Sequence, residues 1–204
     1  MVSDSTITGT DVQNSTLTGA DVQDGTLTGA DIQDGTVNRA DMAESTINLG
    51  TAVATTSGTF REITGIPSWA RRVVLMLKGV STNGTSDILI QLGVGATPLT
   101  SGYLNGQSIF AWGSGVLSTT STAGIPIYNN AAAYIFTGRV VIERLDASSN
   151  NWLVTFTGNN TQTSPSMVIS SGVAPLSGAL GMVRLTTAGG TATFDAGSMN
   201  ISWE

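Results

Sequence analysis

Four aromatic residues, Tyr103, Phe110, Trp112 and Tyr128, fall among glycines and serines in the middle of the chain, with Asn105, Gln107, Asn129 and Asn130 beside them. Sugar faces stack on aromatic rings, and a carboxamide offers a hydroxyl both a donor and an acceptor. The combination suits glycan recognition, and Tyr103, Trp112, Tyr128, Asn129 and Asn130 are the expected ligand contacts. For Phe110 and Trp112 the competing reading is a place in the core. Arg71, Arg72, Arg139, Arg144 and Arg184 suit either an acidic polysaccharide or pairing between subunits.

Asp87, Glu143, Asp146 and Asp195 are the candidates for hydrolytic chemistry, which needs two carboxyl groups facing each other across a glycosidic bond. Their spacing pairs none of them. Glu143, between Ile142 and Arg144, reads as an exposed or ion-paired strand residue, and Asp195 sits in the turn FDAG. A second set, Asp11, Asp21, Asp31 and Asp41, recurs every ten residues. Without the glycine-rich calcium-binding nonapeptide pattern, these aspartates are expected to cap turns rather than hold a cation. Cysteine and histidine are absent, which removes disulfides, thiol nucleophiles, zinc sites with N or S ligands and imidazole acid–base chemistry. The chain is therefore expected to be a binding protein, not an enzyme, with no cofactor and no metal.

The aspartate ladder belongs to a longer pattern. From Val2 to Ile47 an apolar side chain returns every fifth position, through Ile7, Val12, Leu17, Val22, Leu27, Ile32, Val37 and Met42. A helix would ask for a period of about 3.6 and a flat strand for about 2. A period of five suits a chain that turns a corner once per repeat, or several chains wound about one axis, each repeat contributing one inward residue. Asp, Gly and Thr between the apolar positions supply the turns. A disordered linker would not need ten apolar residues kept in phase. The residues from Ile7 to Ile47 in this series are thus the expected core of an assembly.

Beyond this segment the pattern changes, which places a boundary near residue 50: a repeat domain at 1–50 and a second domain at 51–204. The composition, with 25 Gly and 11% charged residues, favours strands over solvated helices. Strands are expected near 51–56, 59–63, 72–80, 87–94, 115–121, 134–145, 152–158, 167–170, 182–187 and 198–203, with Val73–Leu77 as a strand covered on both faces. Trp152, Val154 and Phe156 share one face, as do Met199, Ile201 and Trp203. About ten short strands predict an all-β, antiparallel sandwich of jelly-roll kind. The net charge of −6 comes from residues 1–50, which carry eight acids against Arg39, and no basic patch suits nucleic acid. Neither a signal peptide nor a membrane span is expected. A cysteine-free β protein outside a cell is expected to gain stability by oligomerising.

Thr59–Arg72 (TFREITGIPSWARR), Lys78–Gly93 (KGVSTNGTSDILIQLG), Ser101–Leu104 (SGYL) and Thr193–Glu204 (TFDAGSMNISWE) resemble the C-terminal domain found at the ends of many bacteriophage and prophage tail-fibre proteins. The resemblance spans most of 51–204 and fails from about 105 to 130. It implies a homotrimeric fibre on the virion, attached to other tail or capsid proteins through its N-terminal part, with the C-terminal domain meeting a host-surface polysaccharide or protein. A capsid fibre, decoration or tail-tip subunit is the alternative. The unmatched segment is expected to form binding loops at the domain end. Ser15–Asp34 (STLTG ADVQD GTLTG ADIQD) also resembles the pentapeptide repeat, which implies a square β-helix of about two and a half coils. Stacked coils would make a stub of about 10 Å, whereas 45 interwound extended residues would reach about 150 Å; both arrangements remain open at the level of sequence.

Overall fold

A computed structural model describes residues 10, 12–13, 16–23, 25–33, 36–37, 47–112, 115–160 and 166–204. The chain divides into two units, 1–45 and 46–204. In the first, backbone hydrogen bonds close successive turns from Gln13 to Thr16, Thr18 to Asp21, Gln23 to Thr26, Thr28 to Asp31 and Gln33 to Thr36. Leu17, Val22, Leu27 and Ile32 each occupy the single position between two turns, so the five-residue period is a corner every five residues. The Thr18 hydroxyl and amide donate to the Asp21 carboxylate at 2.7 and 2.8 Å, and Thr28 does the same to Asp31. These bonds hold both carboxyls below the ordinary aspartate range. Capping is therefore what the described aspartates of the ladder do; Asp11 and Asp41 lie outside the described residues.

The apolar ladder is not interior in the single chain. Leu17, Leu27, Ile32 and Val37 are 63%, 60%, 41% and 51% exposed, and Ile47, in the second unit, is also exposed. Val12 and Val22 are half-buried, while Ile7 and Met42 lie outside the described residues. The backbone bonds among the described residues from Gln13 to Thr36 are turn closures.

In the second unit the described residues form β1 (Asn48–Leu49), β2 (Val53–Ala54), β3 (Phe60–Thr64), β4 (Arg72–Thr82), β5 (Ile88–Val94), β6 (Thr97–Pro98), β7 (Leu104–Trp112), β8 (Gly115–Thr120), β9 (Ile125–Ile127), β10 (Phe136–Arg144), β11 (Asn151–Asn160), β12 (Ser166–Pro175), β13 (Leu180–Thr187) and β14 (Phe194–Trp203). A nine-stranded sheet runs β1-β14-β4-β10-β11-β12-β7-β8, with β2 also on β14; a five-stranded sheet runs β3-β13-β5-β6, with β9 also on β5. Every pairing is antiparallel.

Alternation fixes which face is buried. Leu75, Val140, Ile142, Val154 and Phe156 from the large sheet and Ile90, Leu92, Val183 and Leu185 from the small one belong to a single core. Trp152, Val154 and Phe156 do share the buried face. The expectation of double burial for Val73–Leu77 needs correction: Val74 and Met76 are half-exposed on the outer face of β4. The doubly covered strand is β5, buried from Ile88 to Gly93, because the chain at Ala123 and Gly124 crosses its outer side, where the Gln91 amide donates to the Ala123 carbonyl at 2.7 Å.

The β10–β11 turn is closed by Asp146, whose carboxylate accepts bonds from the hydroxyls and amides of Ser148 and Ser149. These bonds, the two hydroxyls first, hold its pKa down to about 2. A carboxyl depressed in the folded state contributes stability above its unfolded pKa and loses it as pH falls through the folded value. The amide resonances of Ser148 and Ser149 are accordingly expected to keep their native shifts at pH 4 and to move only as the pH approaches about 2; movement centred on the ordinary aspartate pKa of about 3.9 would contradict the cap.

Candidate functional site

The segment expected to form end loops, residues 105–130, is instead mostly strand: β7, β8 and β9 fall within or across it. The alternation of β7 does not follow polarity throughout. Gly106, Ser108 and Phe110 point inward, whereas Gln107 and Ile109 point outward. Small polar residues on the buried face and an isoleucine on the wet one hide the strand from a hydropathy reading.

Between Ser171 and Val173 of β12 the partner strand β7 advances from Gln107 back to Leu104, one residue more than β12 covers. This is a β-bulge, a device that re-aims a side chain. Asn105 within it adopts φ +53°, among the described residues the only non-glycine at positive φ; Asn tolerates the left-handed region better than most residues. Gly106 cannot carry a side chain, because a Cβ there would overlap the Ser121 carbonyl. The consequence is an open depression of about 490 Å³ lined by Asn105, Gly106, Gln107, Thr120, Ser121 and Thr122. Gln107 and Thr120 stand directly opposite each other.

The side chains of Asn105, Gln107, Thr120 and Thr122 make no hydrogen bond within the chain among the described residues. Two carboxamides and two hydroxyls thus converge on one depression with their full donor and acceptor capacity free. Among the described lining residues none is charged and none is aromatic. Such a surface can satisfy a hydroxyl-rich ligand.

The residues expected to contact ligand are placed differently. Tyr103 is 1% exposed; its hydroxyl accepts the Leu92 amide at 2.7 Å, and burial pushes its phenol well above the ordinary range. Asn129 is 3% exposed, with its amide nitrogen on Thr82, Gly84 and Ser86. Both are structural, which corrects their assignment as ligand contacts. Tyr128 is half-buried against Phe110, 5.6 Å between ring centroids, and Phe110 stacks on Tyr134 at 5.5 Å. Asn130 is exposed. Trp112 ends β7, paired with Gly115 and Ser166; its side chain lies outside the description. The amides Asn105 and Gln107 are legible beside the aromatic cluster in the sequence, but Thr120 and Thr122 are not, since nothing distinguishes them from many other threonines.

The four carboxylates weighed for hydrolysis are each engaged separately. Asp87 accepts from the Asn129 amide and the Thr119 hydroxyl at 2.8 Å each, Asp195 accepts from the Ser81 hydroxyl, Glu143 lies 3.4 Å from Arg72, and Asp146 closes its turn. Among the described residues no group of three or more acids stands ready to hold a metal. No protein-family model matches the chain, and no curated protein matches it either.

Proposed function

We propose that this protein is the adhesive subunit of a virion fibre, a homotrimer that binds a host-surface glycan without transforming it. In this reading the two sheets form a jelly-roll-like sandwich, residues 1–50 carry trimerisation and attachment to other tail or capsid proteins, and the second unit meets the host. The observation that carries the binding role is the depression on the bulged β7–β8 hairpin, where Asn105, Gln107, Thr120 and Thr122 present uncommitted polar groups. Support for the fibre comes from the resemblance of 59–72, 78–93, 101–104 and 193–204 to tail-fibre C-terminal domains and from Leu17, Leu27, Ile32 and Val37 of the apolar ladder, which a single chain leaves exposed.

The test is adhesion of the full-length protein to host cells. Asn105→Gly combined with Gln107→Ala removes both amides, and glycine keeps the positive φ that alanine would resist. Each lost hydrogen bond to ligand is worth about 1 kcal/mol, so affinity is expected to fall by about 30-fold. The melting temperature should be nearly unchanged, since neither side chain has an internal partner. Unchanged adhesion by a folded double variant would remove the depression from the binding surface.

A further inference from the structure

The depression opens onto a cross-strand row that continues over the outer face of the large sheet. Thr120, Gln107, Ser171 and Thr155 stand directly opposite one another on β8, β7, β12 and β11. All four are exposed or half-exposed, and only Thr155 makes an internal contact, a long one of 3.5 Å to the Val141 carbonyl. One pleat along, the parallel row is Ser118, Ile109, Ile169, Thr157 and Arg139. Ile109 and Ile169 are 42% and 45% exposed. One row thus offers hydroxyls and an amide, and its neighbour offers aliphatic surface against which the C–H face of a sugar can pack.

Arg139, on β10, stands in this second row between Thr157 and Met76. It is exposed and among the described residues has neither an ion-pair nor a hydrogen-bond partner. The other charges of this face are Lys78, also exposed and without such a partner among the described residues, and Arg72, which pairs with Glu143 at 3.4 Å and with Glu204 at 3.0 Å. Arg139 and Lys78 are thus cations of this face without an ion pair among the described residues, although the whole chain carries −6. A guanidinium fork matches a planar carboxylate better than it matches a neutral hydroxyl. From β7 to β10 is three strand spacings, roughly 14 Å, so a ligand touching both Gln107 and Arg139 is an oligosaccharide and not a single sugar.

We propose that the outer face of the nine-stranded sheet binds a carboxylate-bearing oligosaccharide running across β8, β7, β12, β11 and β10, with the depression holding neutral hydroxyls and Arg139 pairing a carboxylate. This rests on the glycan-binding reading above and names its ligand class. The experiment measures binding of the full-length protein to oligosaccharides of alginate, polygalacturonate and hyaluronate, each beside its carboxyl-reduced form. The wild type is expected to prefer the acidic form of at least one pair by about tenfold, with the preference shrinking as salt is raised. Arg139→Gln should erase the preference and keep the affinity for the reduced form, and Arg139→Lys should retain part of it. Asn105→Gly with Gln107→Ala should weaken both forms alike.

Equal binding of acidic and reduced forms by the wild type, or a preference that survives in Arg139→Gln, overturns the ligand class and leaves the glycan-binding reading standing. Binding to no member of the panel overturns the proposal, while the adhesion assay still decides the wider reading. A change in sedimentation on Arg139→Gln, with no change in ligand affinity, would make this face a contact between subunits and overturn it as well.

Discussion

Replacing Asn129 by alanine is expected to lower the stability of the second unit by about 3 kcal/mol, or about 10 °C in melting temperature. Its amide nitrogen lies 3.3 Å from the Thr82 hydroxyl, 3.2 Å from the Gly84 carbonyl and 3.1 Å from the Ser86 carbonyl. Two of these partners can only accept, so the amide is oriented with its NH2 toward them. The side chain ties the end of β4 to the turn that leads into β5, and its own backbone amide is held by Asp87 at 2.8 Å. Alanine would leave the carbonyls of the half-exposed Gly84 and Ser86 without this donor and open a gap where the side chain is 3% exposed, and polar groups left unmet at such a site cost more than the bond itself contributes. The neighbouring Asn130→Ala, on an exposed residue, should stay within about 0.5 kcal/mol of wild type. Thermal unfolding of the two variants side by side checks this. A neutral Asn129→Ala would mean that the 82–87 turn finds other donors.

Asn129 is also a residue whose role its sequence context does not reveal. Its type is ambiguous, since the same amide serves a sugar hydroxyl or a backbone carbonyl, and only burial decides between them. Burial is legible where large apolar residues alternate, as in Trp152, Val154 and Phe156, where the expected strand at 152–158 lies within the observed Asn151–Asn160. It is not legible where small residues do the facing. β12 reads from its sequence as a short strand at 167–170, yet runs Ser166–Pro175, because Ser170 and Gly172 continue its buried face. Strand β5 is recognisable from its sequence, but a glutamine in its middle does not mark double coverage; the 5% exposure of Gln91 depends on a crossing segment more than thirty residues away. The depression depends on a one-residue bulge. The pair Asn105 and Gly106 is a turn signal, but no rule of spacing brings Thr120 and Thr122 to it.

The repeat gives the other large expected effect. Leu17, Val22 and Leu27, with Thr18, Gly19, Gln23 and Gly25, line an open groove of about 410 Å³, and the leucines on it are 63% and 60% exposed. Each leucine left in water forgoes about 1.5–3 kcal/mol of burial, and Ile32 and Val37 of the same ladder are exposed as well. Covering three such ladders against one another would recover that energy in all three chains at once, which is why the proposed trimer is expected to dissociate slowly. Leu27→Asp places a carboxylate at the centre of the ladder, and three copies would then meet near one axis. Burying an unpaired charge costs several kcal/mol per chain, enough to turn the trimer into monomers at micromolar concentration. Gln33→Asp adds the same charge at an exposed position beside Ile32 and should leave the mass unchanged. Light scattering and native mass measurement distinguish the outcomes. A wild-type monomer, or a Leu27→Asp variant that remains trimeric with an unaltered melt, would show that the apolar ladder does not lie at the subunit axis.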